Sequence, residues 1–410
     1  MNEPPGAPPA APGEPPPRWV LPALVAAQAG GISPWLSSSA VLPALSGAWG
    51  LAPGDAGLLV SAVQAGFLVG TLVFALFNIA DLFSPRRVFA GSALAVAALN
   101  VLLIPAGGLA QGLALRFAAG VSLAGVYPVG MKIAVSWYPG RAGYVLGWML
   151  AAGTLGSSSA YLLAGLAATG LRLPWQAVLG AASLLAAGAA ALMLRVGEGP
   201  HLAPAPRLEL SLAWRLFALP RYRAAALGYF GHLWELYAAW ALAPLFVGAA
   251  LAPLGWDSPA AVRLGAFAMV AAGVGGCLWG GAASLRLGSL RVAALALAGS
   301  GAFCVLGPLL HAVHPLLYGA GLLVWGALLI ADAAQFFALA AAACPARYVG
   351  TALTVQNCLG FALTIVSIEL AGRSFAALGP AVTWLLAPGP LLGLWLLLRG
   401  TRDAPAPAAG

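Results

Sequence analysis

The sequence predicts an all-α membrane protein with twelve transmembrane helices in two parallel six-helix repeats. Composition, the length of the apolar runs and a pair of loops that recur half a chain apart lead to that fold class. Of the 410 residues 61% are hydrophobic and only 7% charged, whereas soluble domains carry roughly 25% charged residues. Many apolar runs approach or exceed the ~20 residues needed to cross a bilayer. Lipid offers no hydrogen-bond partners, so such runs close their backbone bonds internally as helices. The short alternating segments of a membrane barrel are absent.

Six runs in the first half begin near Val20, Asp55, Arg87, Gln111, Tyr144 and Trp175, and six in the second near Tyr222, Ala261, Arg291, Pro315, Gly350 and Val382. Pro- and Gly-bearing breaks separate them. Arg195 to Arg223 is the longest polar interruption and holds Glu198, His201, Arg207, Glu209, Arg215 and Arg221. The expected division is a Pro-rich disordered cytoplasmic tail over 1–18, a six-helix half over 19–195, a cytoplasmic central loop over 196–221, a second half over 222–399 and a short cytoplasmic tail over 400–410. The tail carries Glu3 and Glu14 rather than a basic leader, unlike a signal peptide.

The net charge of +8 does not indicate nucleic acid, because the basic residues stand singly or in pairs in short gaps between apolar runs. That pattern orients a membrane protein. With the N-terminus cytoplasmic, Arg86, Arg87, Lys132, Arg141, Arg195, Arg286, Arg291, Arg347 and Arg399 fall on one side, whereas Arg172, Arg263 and Arg373 fall opposite. Both termini are therefore expected inside, in a bacterial inner (plasma) membrane. Four scattered cysteines without a C-x-x-C pair suggest neither a zinc site nor a disulfide framework. Neither metal nor cofactor is expected; His311-x-x-His314 lacks further ligands.

The repeat rests on matched loops. Pro139-Gly-Arg141 closes the loop after the fourth span and Pro345-Ala-Arg347 the loop after the tenth, about 206 residues later. The loops after spans two and eight match at nearly the same offset. Asp81-Leu-Phe-Ser-Pro-Arg86-Arg87 resembles the G-x-L-a-D-r-x-G-r-k signature of the major facilitator superfamily, with Phe77, Leu82, Ser84 and Pro85 where Gly, a basic residue, Gly and Arg are usual. The second copy, with Gly281, Arg286, Gly288 and Arg291, has Leu285 in place of the acid. The resemblance implies a charge latch of Asp81, Arg86, Arg87, Arg286 and Arg291 that biases inward- against outward-facing states. Simple inside-positive anchoring is the alternative. Arg116 and Gly120 resemble the superfamily's R-x-x-x-G pattern in helix four. In span five Gly147, Gly153 and Gly156 lack the proline usual in drug/proton antiporters. Close helix packing is their alternative role.

Ionisable residues inside spans mark functional candidates, since lipid excludes charge. Span seven reads Gly231-His232-Leu-Trp234-Glu235-Leu-Tyr237-Ala-Ala-Trp240. Counting 1.5 Å per residue from Tyr222 puts Glu235 about 20 Å along the axis, near mid-membrane. His232, three residues away, shares its face. Such a pair can exchange protons, or serve as a hydrogen-bonded tie between helices. Span ten adds Asp332 and Gln335, and span eleven Gln356 and Asn357.

In the superfamily, helices one, four, seven and ten line the cavity, and here these carry Arg116, His232, Glu235 and Asp332. Gln28, Trp35, Gln64, Trp234, Tyr237 and Trp240 are candidates for its walls. The resulting expectation is a monomeric secondary transporter of a small-molecule solute that uses no cofactor, is coupled to protons and works by alternating access. Organic anions are the first substrate class, with Arg116 as the anion or charge-balance group. Hydrophobic-cation or drug efflux and a polytopic membrane enzyme are the alternatives. The dispersed histidines speak against the enzyme.

Overall fold

The computed structural model describes residues 16–52, 55–169, 173–202, 209 and 213–402. Residues 1–15 of the tail expected over 1–18, the basic residues Arg172 and Arg207, and residues 403–410 lie outside the described residues. Every regular element among those described is helical.

The helices group into twelve passages. Eight helical segments are long and apolar enough to cross a membrane, and a ninth forms when Pro220–Ala241 and Ala243–Leu254, bent by 61°, are joined. One of the eight, Val349–Thr401, has 53 residues, about 80 Å at 1.5 Å per residue. That is far more than the ~30 Å hydrocarbon core, so it makes two passages. The chain turns between them at Gly379, whose φ of 54° is the left-handed conformation that glycine adopts without penalty. Val20–Ile32 with Ser37–Ala40 and Leu42–Trp49 makes a further passage, and Pro85–Val101 another.

In order, span one is Val20–Ile32 with its two continuations and span two is Ala56–Leu76. Span three is Pro85–Val101, span four Leu109–Leu123 with Tyr127–Trp137, span five Ala142–Ala168 and span six Trp175–Val196. Span seven is Pro220–Ala241 with Ala243–Leu251, span eight Pro259–Leu287 and span nine Ser289–Val313. Span ten is Pro315–Ala331 with Ala333–Ala342, span eleven Val349–Leu378, and span twelve Thr383–Leu386 with Pro388–Arg402. Proline opens spans three, seven, eight and ten, where its missing N–H would be unpaired anyway.

Spans one, four, seven and ten are all broken part-way. Pro34, Pro128 and Pro244 stand at the first three breaks, where proline withdraws an N–H and crowds the carbonyl four residues earlier. The carbonyl four before Pro244 is that of Trp240, and it accepts a 2.8 Å hydrogen bond from the Tyr161 hydroxyl of span five. Span ten breaks at Asp332 without a proline.

The packing repeats with a shift of six. Span one packs on five and six, two on four, and three on four and six. Correspondingly, seven packs on eleven and twelve, eight on ten, and nine on ten and twelve. The halves meet chiefly through five against eight and two against eleven, a pairing that maps onto itself under the same shift. Glycines let the paired helices approach. A Cβ on Gly66 or Gly120 would lie 2.0 or 2.2 Å from a carbonyl oxygen across the span two–four contact, and one on Gly276 or Gly326 would lie 1.9 Å from a carbonyl across eight–ten. Small residues serve this role between membrane helices. In span five Gly156 does the same against Ala29 of span one, whereas Gly147 has open space.

Candidate functional site

A cavity of about 450 Å³ lies between the halves, walled by Phe67, Thr71, Tyr127, Met131, Leu146 and Leu150 from one and by Ala334, Phe337, Leu353, Thr354 and Asn357 from the other. It shares Thr71, Pro128 and Thr354 with a smaller cavity that reaches Asn78, Asp81, Lys132 and Gly350. The pathway therefore leads to the face carrying the loops after spans two, four and ten, the basic face of the molecule.

Away from that face the pathway is shut by aromatic rings. Trp35 stacks on Tyr237 with centroids 5.7 Å apart, and Phe67 meets Phe361 at 4.6 Å. Trp35–Phe67 at 5.0 Å and Tyr237–Phe361 at 5.2 Å close the ring of four. Two of these side chains come from each half. Beyond them Ser61 of span two donates to Glu369 of span eleven at 2.8 Å, and Arg373 Nε lies 3.2 Å from the same carboxylate. Charge-assisted hydrogen bonds contribute about 1.5–3 kcal/mol, reduced here because Arg373 is largely exposed. Glu369→Gln is expected to shift the closed population five- to thirty-fold, the equivalent of about 1–2 kcal/mol. Spin labels on Ala52→Cys and Ala377→Cys, in a Cys344→Ser background, should report a longer distance. An unchanged distribution would show that this contact does not hold the closed side.

Charged side chains inside the spans do not converge on one point. Arg116 is fully buried and donates to the Pro34 carbonyl at 3.0 Å, to the Ser37 hydroxyl at 3.3 Å and to the Trp35 carbonyl. It thus satisfies acceptors freed where span one unwinds. Nearby, Asn100 accepts from Ser37 at 2.5 Å and donates to the Leu179 carbonyl at 3.0 Å, joining spans one, three and six.

His232 and Asp332 do come together. His232 Nδ1 of span seven lies 2.8 Å from Asp332 Oδ1, at the break of span ten, and both are about 2% exposed. Glu235 turns to different partners. Its carboxylate accepts from Ser300 at 2.6 Å and from Cys304 and Trp325 at 3.3 Å, all within the second half. Sharing a helix face therefore left His232 and Glu235 in separate polar clusters. Gln335 donates to the Gly280 carbonyl at 3.2 Å, and Asn357 accepts from the Tyr229 hydroxyl at 2.8 Å. Gln64 and Gln356 are buried with no hydrogen-bond partner for either amide atom among the described residues. Gln28 donates to the Tyr127 carbonyl at 3.2 Å.

The aromatic candidates divide. Trp35 and Tyr237 belong to the ring that shuts the pathway, and Trp240 packs on Tyr237 at 5.6 Å. Trp234 turns away, its indole donating to the Leu385 carbonyl of span twelve at 3.1 Å. At the basic face Asp81 pairs with Lys132 of span four, and Arg86 Nε lies 3.3 Å from Glu198. Arg286 and Arg291 are exposed and enter no ion pair among the described residues. Burial pushes the Cys344 thiol, half-buried in the loop after span ten, up to about 11. No group of three or more His, Cys, Asp or Glu among the described residues is arranged to hold a metal ion.

Residues 24–368 match the family described as the Major Facilitator Superfamily. The chain belongs to that superfamily. It is a secondary transporter rather than an enzyme, an integral multi-pass membrane protein with the superfamily's fold. Two solved structures share this fold. A bacterial homolog of the human lysosomal transporter Spinster, in an inward-facing and occupied conformation, superimposes with a TM-score of 0.68 at 16% identity, covering 95% of this chain and 98% of that one. The inward-facing and unoccupied form of the same homolog gives 0.63 at 17% identity over the same shares. No functionally curated protein matches the sequence.

Several elements of the transporter's pathway escaped the sequence reading. Phe67 and Phe361 look like ordinary lipid-facing residues in apolar runs. Lys132 entered only as an orienting charge, although its position within span four marked it as available to the Asp81 loop. Ser61 and Glu369 lie some 308 residues apart and carry no shared motif.

Proposed function

We propose that this transporter is a proton-coupled carrier of an amphipathic organic solute. One observation carries the reading: an apolar and aromatic cavity, with hydrogen-bonding groups at Thr71, Thr354 and Asn357, borders the helix that bears Asp332. Cavities of this size suit drug-sized organic molecules. In this reading the two halves rock about the ring of Trp35, Phe67, Tyr237 and Phe361, and the His232–Asp332 pair takes up and releases the coupled proton. The basic face is cytoplasmic by the positive-inside rule, with both termini there, in a bacterial inner membrane, and the protein acts as a monomer.

Both terminal nitrogens of Arg116 donate to span one, so support for a compact organic anion is weaker than the sequence suggested, although its buried Nε has no partner among the described residues. An anionic head on an apolar body is the second reading; the cation it would meet is Lys132 at the cavity mouth, which is itself paired with Asp81.

Reconstituted liposomes with an imposed gradient of about 2 pH units provide the test. Such a gradient is worth about 2.7 kcal/mol per proton, up to a hundredfold accumulation. The wild type is expected to accumulate 8-anilinonaphthalene-1-sulfonate or rhodamine 6G, an anionic and a cationic amphipath. Failure to move either would overturn the solute class. Asp332→Asn is expected to abolish accumulation, and accumulation at the wild-type level would overturn its proton role.

A further inference from the structure

We propose that Tyr229 is a positioning residue that couples solute in the cavity to the proton held between His232 and Asp332; this rests on the proton-coupled reading above. Tyr229 is the physical link between the two. Its hydroxyl donates to Asn357 Oδ1 at 2.8 Å, and Asn357 is part of the cavity wall. Its ring stacks on the His232 imidazole, with centroids 5.8 Å apart and planes inclined by 29°. It also meets Phe337 of the cavity wall at 5.4 Å and Phe336 at 6.1 Å. One rigid side chain therefore touches the solute compartment at its polar end and the titratable pair along its face.

Crowding limits its freedom. A Cβ on Gly360 would lie 2.9 Å from the Tyr229 ring, so span eleven packs directly against it. A solute that hydrogen-bonds the Asn357 carbonyl oxygen competes with the Tyr229 hydroxyl for the same acceptor. Tyr229 then swings or tilts, and because its ring lies on His232 the imidazole moves relative to Asp332 Oδ1. A proton placed between these atoms, which stand 2.8 Å apart, is held less tightly when that geometry is disturbed. A bound proton correspondingly fixes His232, and through the stacked ring it fixes the hydroxyl on Asn357. Coupling of this kind is reciprocal by thermodynamic necessity.

The other titratable groups near the pair come from each neighbouring helix. Glu235 on the same helix and Cys277 on span eight face Asp332, and Tyr237 on span seven, Cys358 on span eleven and Tyr127 on span four face Tyr229. Glu235 is held by Ser300, Cys304 and Trp325 rather than by His232, whereas Tyr229 joins His232 of the pair to Asn357 of the cavity wall.

The test uses Tyr229→Phe, which keeps the ring and removes only the hydroxyl, with Asn357→Leu as the partner variant. Liposomes carrying full-length protein are assayed with whichever of the two dyes the wild type accumulates, once down a dye gradient alone and once against a pH gradient. Tyr229→Phe is expected to keep downhill flux within about twofold while proton-driven accumulation falls at least tenfold, and Asn357→Leu to lose accumulation likewise. Tyr229→Phe accumulating at the wild-type level overturns the inference, as does a parallel loss of both fluxes, which marks a structural or solute-binding role. Asp332→Asn separates the two levels. If it also accumulates at the wild-type level, the proton-coupled reading itself has failed; if it loses accumulation while Tyr229→Phe does not, that reading stands without this link.

Discussion

Gly276→Val is expected to lower the apparent melting temperature of the detergent-solubilised protein by about 5 °C or more. A Cβ at Gly276 would lie 1.9 Å from the Ala327 carbonyl oxygen, and a Cβ at Gly280 or Gly326 would come as close, 2.1 Å from the Ala331 oxygen or 1.9 Å from the Met269 oxygen. The obstructing atoms are backbone in every case, so no rotamer change relieves the clash. Spans eight and ten must separate along their length, and dispersion contacts are lost along it. Overpacking of this kind costs about 1–3 kcal/mol and sometimes more, and about 2–4 °C accompanies each kcal/mol in a domain of 150–250 residues. Gly275→Val is the matched control, because its Cβ would meet nothing within 4 Å. A differential scanning fluorimetry trace in which the two variants melt together would remove the close approach as a source of stability. Gly120→Val, whose Cβ would lie 2.2 Å from Val63 O, should repeat the result in the first half.

Arg116→Met should be comparably destabilising and should also slow transport. The guanidinium fills the need of three acceptors around the break in span one. Removing it leaves the Trp35 carbonyl buried without a donor among the described residues, at about 1–3 kcal/mol, whereas the Pro34 carbonyl still accepts from the Ser37 hydroxyl at 2.8 Å. Trp35 then loses the backbone anchor that aims its ring at Tyr237 and Phe361. Arg116→Lys should fall between, since a compact ammonium lacks the planar fork that reaches three acceptors together. Thermal stability and transport measured on the same preparations decide between roles. A solute-binding arginine would raise KM and leave stability unchanged, whereas the arrangement seen here predicts a loss of about 5 °C or more in melting temperature.

The relation of span seven to its neighbours shows where sequence reasoning reached and where it stopped. His232 and Glu235 stood out because charge inside an apolar run needs a partner. Which partner each would find was not legible. His232 meets Asp332 at a distance of 100 residues, while Glu235 meets Ser300, Cys304 and Trp325. Nothing in the spacing distinguishes those outcomes, since residues three apart share a helix face and the spacing does not say which neighbours that face meets. Arg116 illustrates the same point. Its setting in span four left a cavity-facing arginine and one reaching back to the headgroups both open. Its acceptors are the Pro34 and Trp35 carbonyls of an unwound turn with the Ser37 hydroxyl, which no side-chain pattern encodes.

The sequence by itself determined that the chain is helical and crosses the membrane repeatedly, because lipid compels any long apolar run to satisfy its own backbone. It also determined where helices stop, through prolines, glycines and paired arginines, and through the Asp81–Arg87 loop it pointed to the superfamily. Only the tertiary structure decided how each helix is rotated, and with that the ring of Trp35, Phe67, Tyr237 and Phe361, the Ser61–Glu369 closure and the partners of each buried charge. In water a helix shows its buried face as an apolar stripe. In a bilayer the lipid-facing and protein-facing sides are both apolar, so that stripe vanishes and the rotation is set by glycine contacts and polar pairs from distant spans.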